Sequence, residues 1–171
     1  MKLKSLVSTC FFTAARIWGS AWLALLASLI PLYIWRGTND ASPEKALFVE
    51  NLILSACGLL FGFVILTLLQ SKDDSSERLN GRQSILTACC STGFYIAVWL
   101  IAYLFNHNNI WIAVSGCFLG RIFGVNAENL PTFTASLLSA LIFGTVYTCA
   151  ILLGTKRANR RRTNFLKELK K

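Results

Sequence analysis

LILSACGLLFGFVILTLL occupies residues 52–69, eighteen positions without a charge. Twelve of the eighteen are Leu, Ile, Phe or Val. A helix built from this run is apolar all round, and at 1.5 Å rise per residue it is about 27 Å long. A bilayer's hydrocarbon core is about 30 Å thick, so the run reads as a transmembrane helix. Three further runs of the same kind flank it: Ile17–Trp35, Ile85–Phe105 and Phe133–Gly154. Nearly half of the 171 residues fall in the four runs. Only 15% of the chain is charged, against about 25% in a soluble domain, and what separates the runs is too short for a second folded unit. The expected fold is an all-α integral membrane protein, a four-helix transmembrane bundle over residues 1–155 followed by a basic tail, 156–171.

Charge gives the bundle a direction. The formal net charge is +9, but +7 of it lies between Thr155 and Lys171. Lysines and arginines collect before run one (Lys2, Lys4, Arg16), between runs two and three (Lys72, Arg78, Arg82) and in the tail, fourteen in all. The alternate side holds three: Arg36, Lys45 and Arg121. Cationic loops stay cytoplasmic, so both termini are expected there, in a bacterial inner membrane. The basicity therefore marks topology, and no nucleic-acid partner is expected. The N-terminal Leu6–Ala15 stretch is broken by Ser8, Thr9 and Thr13 and ends on Arg16 without a small-residue cleavage site, which reads as an uncleaved lead into run one. Pro31 marks a kink or loosening near the far end of that run.

The stretch Ile110–Val125 is the ambiguous one. It holds eight Leu, Ile, Phe or Val, worth about −0.3 to −0.6 kcal/mol each on an insertion scale, against Arg121, which costs up to about 3 kcal/mol at mid-bilayer. The balance is close to zero, and a fifth span would put the basic tail outside. An additional short interfacial or re-entrant helix over about 110–125 is expected instead.

Small residues recur at helical spacing. Ser55, Gly58 and Gly62 share a face of run two; Ser136, Ala140, Gly144 and Thr148 share one of run four; Gly116, Gly120 and Gly124 share one of the ambiguous segment. Small side chains let helix backbones approach closely in lipid. Packing inside the chain is the plain use. Three such stripes exceed what four helices need, so one is expected to meet another membrane protein or a second copy. Glu50 opens run two on the same side as Arg121, and the two are a candidate ion pair tying the outer segment to the bundle.

Chemistry is sparse. The six cysteines form no CxxC pair, and His107 is the only histidine. No paired carboxylates or Ser/His/Asp set lies in a run, so acid–base or hydrolytic catalysis lacks its converging groups. Neither an enzyme nor a resident cofactor is expected. Leu86-Thr87-Ala88-Cys89-Cys90 resembles, over five residues, the Cys-Cys pair of the small bacterial mercuric-ion transport proteins. That resemblance implies a soft-metal site at Cys89 and Cys90. The pair stands in the third run and no second thiol pair follows, unlike that family's pattern; small apolar filler is the plainer reading. The tail cations Lys156, Arg157, Arg160, Arg161, Arg162 and Lys167 suit anionic lipid head groups. The expected function is non-enzymatic: a small inner-membrane protein, an accessory subunit or immunity-like protein, that binds another membrane component through its small-residue helix faces. The alternative is a small transporter or channel, with Cys89 and Cys90 as soft-metal ligands.

Overall fold

Each apolar run lies inside a longer helix. In a computed structural model, which describes residues 3–38, 43–73, 79–105, 122 and 133–169, these are α1 (Leu3–Thr38), α2 (Pro43–Ser71), α3 (Gly81–Phe105) and α4 (Phe133–Glu168). The described residues contain no strand. All four helices are long and apolar enough to cross a membrane, with mean hydropathy between 1.7 and 2.6 over their spans, so the chain is a multi-pass membrane protein. The expected short helix at 110–125 lies outside the described residues except for Ile122, and with it Gly116, Gly120, Arg121 and Gly124.

The helices overrun the apolar runs at their charged ends. α1 starts fourteen residues before Ile17, and α4 continues fourteen past Gly154, so the basic segment is the last four turns of a 36-residue helix. Lys and Arg are good helix formers, and their long stems reach water from the edge of an apolar layer. α1 runs through Pro31, which has no N–H for the Ala27 carbonyl, and ends where Thr38 Oγ1 donates to the carbonyls of Ile34 and Trp35. α3 starts under a reciprocal cap: Asn80 Oδ1 accepts from the Gln83 amide at 2.9 Å, and Gln83 Oε1 from the Asn80 amide at 3.2 Å.

The main helix contacts form a ring, α1–α2–α4–α3 and back to α1. Neighbours in sequence are antiparallel. Arg16 meets Gln70 at one end of the α1–α2 pair and Arg36 meets Glu50 at the other; Thr92 and Thr148 join α3 to α4. Trp18 packs on Tyr95 between the parallel α1 and α3, and Gly62 lies under Tyr147 between the parallel α2 and α4.

The distribution of side chains is inverted relative to a soluble bundle. Sixteen described polar residues are buried, among them Ser20, Ser28, Ser55, Ser91 and Ser139, while Leu23, Leu26, Ile30, Leu60, Leu68, Ile101 and Leu141 are exposed. Water would penalise that surface; hydrocarbon does not. The centre is aromatic and aliphatic: Ile17, Leu66, Tyr95, Phe143, Tyr147 and Ile151. Tyr95 and Tyr147 meet edge to face with ring centres 5.4 Å apart.

Candidate functional site at the basic end

The end of the bundle where α1 and α3 begin and α2 and α4 finish holds a cluster of polar contacts. Arg16 stands at the lower boundary of the apolar part of α1. Its guanidinium lies 2.7 Å from Asp73, just past the end of α2, and donates to Gln70 Oε1 at 3.2 Å. Both charged side chains are largely withdrawn from solvent, 26% exposed for Arg16 and 13% for Asp73. Gln70 is fully buried because α4 passes directly over it at Gly154. A Cβ at 154 would stand 2.6 Å from Gln70 Cβ and 2.9 Å from the Thr67 carbonyl, so only glycine fits this crossing unchanged.

Two hydrogen bonds fasten the overrunning part of α4 to the same end. Asn159 Nδ2 donates to the Leu79 carbonyl at 3.1 Å, and Arg161 to the Ser71 carbonyl at 3.0 Å. Ala158, just before Asn159, is fully buried. Only the first turn of the basic segment is therefore packed: Lys156 and Arg157 are exposed, and so is every residue from 160 to 169, Arg160, Arg162 and Lys167 among them. Arg161 is exposed by area too, yet its guanidinium is committed to the α2 terminus.

Both small-residue stripes that can be followed are used inside the chain. Ser55 is buried and bonds to the Asn51 carbonyl at 2.6 Å; Gly58 faces Phe143 and Gly62 faces Tyr147 across the α2–α4 contact. Ser136 and Ala140 are buried, a Cβ at Gly144 would lie 3.1 Å from Thr92 Cγ2, and Thr148 shares a 2.9 Å hydrogen bond with Thr92. Along both faces these residues are buried or in contact with a neighbouring helix.

Glu50 is likewise engaged. Both of its oxygens accept from Arg36, each at 2.7 Å, in a fork clamping the far ends of α1 and α2. The carboxylate expected to meet Arg121, which lies outside the described residues, already has a bidentate partner on α1. Cys89 and Cys90 are both exposed along α3 and free, and no group of three or more His, Cys, Asp or Glu side chains gathers among the described residues. Successive helical residues point about 100° apart, which suits two thiols against lipid better than two on one ion. α1 and α3 meet here: Ser91 Oγ donates to the Cys10 carbonyl at 2.9 Å.

Sequence reasoning missed the Arg16–Gln70–Asp73 cluster, because Arg16 lies far along the chain from Gln70 and Asp73 and meets them only where α1 packs on α2. Among the described residues, the buried hydroxyls without a hydrogen-bond partner include those of Thr13, Ser136, Tyr147 and Thr155. Comparison with known protein families, curated proteins and solved structures finds no match.

Proposed function

We propose that the chain is a non-enzymatic membrane protein that binds another component of its membrane, and that the contact is made at the basic end of the bundle by the exposed face of the α4 extension. The observation that carries this reading is how the interior is used. The stripes on α2 and α4 are taken up in contacts among α2, α3 and α4, whereas the extension is anchored near its start by Asn159 and Arg161 and carries Lys156, Arg157, Arg160, Arg162 and Lys167 exposed. An anchored helix with exposed cations suits an anionic partner: the acidic cytoplasmic segment of a larger membrane complex, or lipid head groups. The lysine and arginine asymmetry supports a cytoplasmic position, at an inner membrane, for this end and for both termini.

Photo-crosslinking in intact cells tests this. A photoreactive residue replacing Arg157 or Lys167 is expected to give a discrete adduct, and one replacing Leu60 or Val64 on the lipid-facing side of α2 is not. Adducts formed only from Leu60 and Val64 would move the contact into the membrane plane and refute the reading.

A second reading, passage of a small polar solute along the bundle axis, is favoured by one observation. Thr13 and Thr155 near the basic end and Ser136 towards the other are buried and have no partner among the described residues, and polar groups facing a bundle interior can mark a path. The aromatic layer of Trp18, Tyr95 and Tyr147 stands between them.

A further inference from the structure

Where α3 begins, a groove of about 430 Å³ opens between it and α4, lined by Gly81, Ser84, Leu152, Lys156, Asn159 and Arg160 among others. We propose that this groove binds the phosphate of an anionic phospholipid, one lipid per chain, as a defined site distinct from diffuse attraction to the tail. The inference rests on the reading above only in placing the basic end at the level of the head groups.

The walls differ in a way that fits a lipid. Lys156 and Arg160 stand one turn apart on α4, both exposed, so their cationic heads can converge on one anion. Asn159 lies between them and is anchored to the Leu79 carbonyl, which fixes that wall. The floor is Gly81, beside which an added Cβ would meet nothing within 4 Å, so there is room for a tetrahedral group. The groove also lies at the positive end of the 25-residue α3, a smaller favourable contribution. Towards the membrane the lining changes to Leu152, and the neighbouring Ile85, Leu86 and Leu153 are exposed and apolar. A free phosphate would use only the cationic part. A phosphodiester carrying acyl chains meets cations at one level and an apolar surface immediately beneath it.

The test compares two doubly neutralised proteins of equal charge in nanodiscs of phosphatidylcholine with about one-tenth phosphatidylglycerol, counting retained anionic lipid by native mass spectrometry. Each cation near a membrane surface contributes enough that removing two from one site weakens binding about thirtyfold. Lys156→Gln with Arg160→Gln is expected to lose its bound phosphatidylglycerol to that extent. Lys45→Gln with Lys72→Gln, both exposed and off the groove, is expected to keep it. A third protein, Gly81→Glu, places a carboxylate on the open floor at the first turn of α3, where an acid favours the helix; it is expected to stay folded and to lose the lipid as well. Equal losses from the two double variants, or none from either, would overturn the site in favour of diffuse attraction or no attraction. Release of the lipid by millimolar inorganic phosphate would overturn the lipid assignment in favour of a free phosphate. Each of those results leaves the crosslinking from Arg157 and Lys167 unaltered, so this site can fail while the broader reading stands.

Discussion

Replacing Gly154 by alanine should damage the bundle, whereas the same change at Gly93 should not, and the difference can be worked out from the structure. A methyl at 154 would lie 2.6 Å from Gln70 Cβ and 2.9 Å from the Thr67 carbonyl oxygen. Carbon atoms in contact sit about 3.5–4.0 Å apart, so α2 and α4 must separate by about 1 Å or Gln70 must leave its place. Overfilling a packed site in this way costs about 1–3 kcal/mol. Alanine also gains up to about 1 kcal/mol over glycine in a helix interior, and that gain is common to both positions. At Gly93 a methyl meets nothing within 4 Å, so only the gain is left. The gap between the two variants therefore isolates packing, at about 1–3 kcal/mol, or roughly five- to a hundredfold in the folded-to-unfolded ratio. Gly62 and Gly144 should fall between, since their methyls would stand 3.0 Å from Tyr147 Cε1 and 3.1 Å from Thr92 Cγ2, side-chain atoms able to shift. Gly58, at 3.8 Å from Phe143, should resemble Gly93. Reversible unfolding in mixed micelles, or steric trapping in bicelles, reads the series. Equal effects at Gly154 and Gly93, or Gly93 as the more damaging, would refute the packing assigned to α2 and α4.

Two further outcomes follow from the polar contacts. Asp73→Ala should destabilise the bundle by about 1.5–3 kcal/mol, the range for a hydrogen bond to a charged group, and far less in a background that already carries Arg16→Ala; additive losses in that double-mutant cycle would show that the two residues do not interact. Charge reversal at Arg36 or at Glu50 should lower thermal stability measurably, and the double swap Arg36→Glu with Glu50→Arg should restore part of it; rescue by swapping Glu50 with Arg121 instead would assign the carboxylate to the other partner.

The four spans among the described residues were legible because a span writes itself into consecutive residues: eighteen uncharged positions such as Leu52–Leu69 leave little else to be built. The direction of neighbours followed from the same runs. Helix ends were less legible. Charged residues stop an apolar run but do not stop a helix, so α4 continues through Lys156, Arg157 and Arg160 to Glu168. Which helix faces which is harder still, because spacing shows that Ser136, Ala140, Gly144 and Thr148 share a face and says nothing of what covers it. The cover turned out to be α3, through Thr92 and Ile96. Arg16, Gln70 and Asp73 were visible singly, two of them as ordinary flanking charges. Their meeting depends on the height at which α1 and α2 cross, a tertiary quantity that no local pattern encodes. Glu50 illustrates the same limit: three cations, Arg36, Lys45 and Arg121, were available on its side of the membrane, and the register of α1 against α2 selects Arg36.

Closure of the small-residue faces within one chain is the claim on which the functional reading stands, and paired-cysteine crosslinking tests it most directly. In a protein stripped of its native cysteines, Thr92→Cys and Thr148→Cys place two thiols where the hydroxyls now lie 2.9 Å apart. Oxidation in native membranes, with two differently tagged copies expressed together, should give a crosslink within single chains and no product carrying both tags. A crosslinked dimer bearing both tags, with little intrachain product, would show that the α4 stripe faces a second copy and would contradict the account.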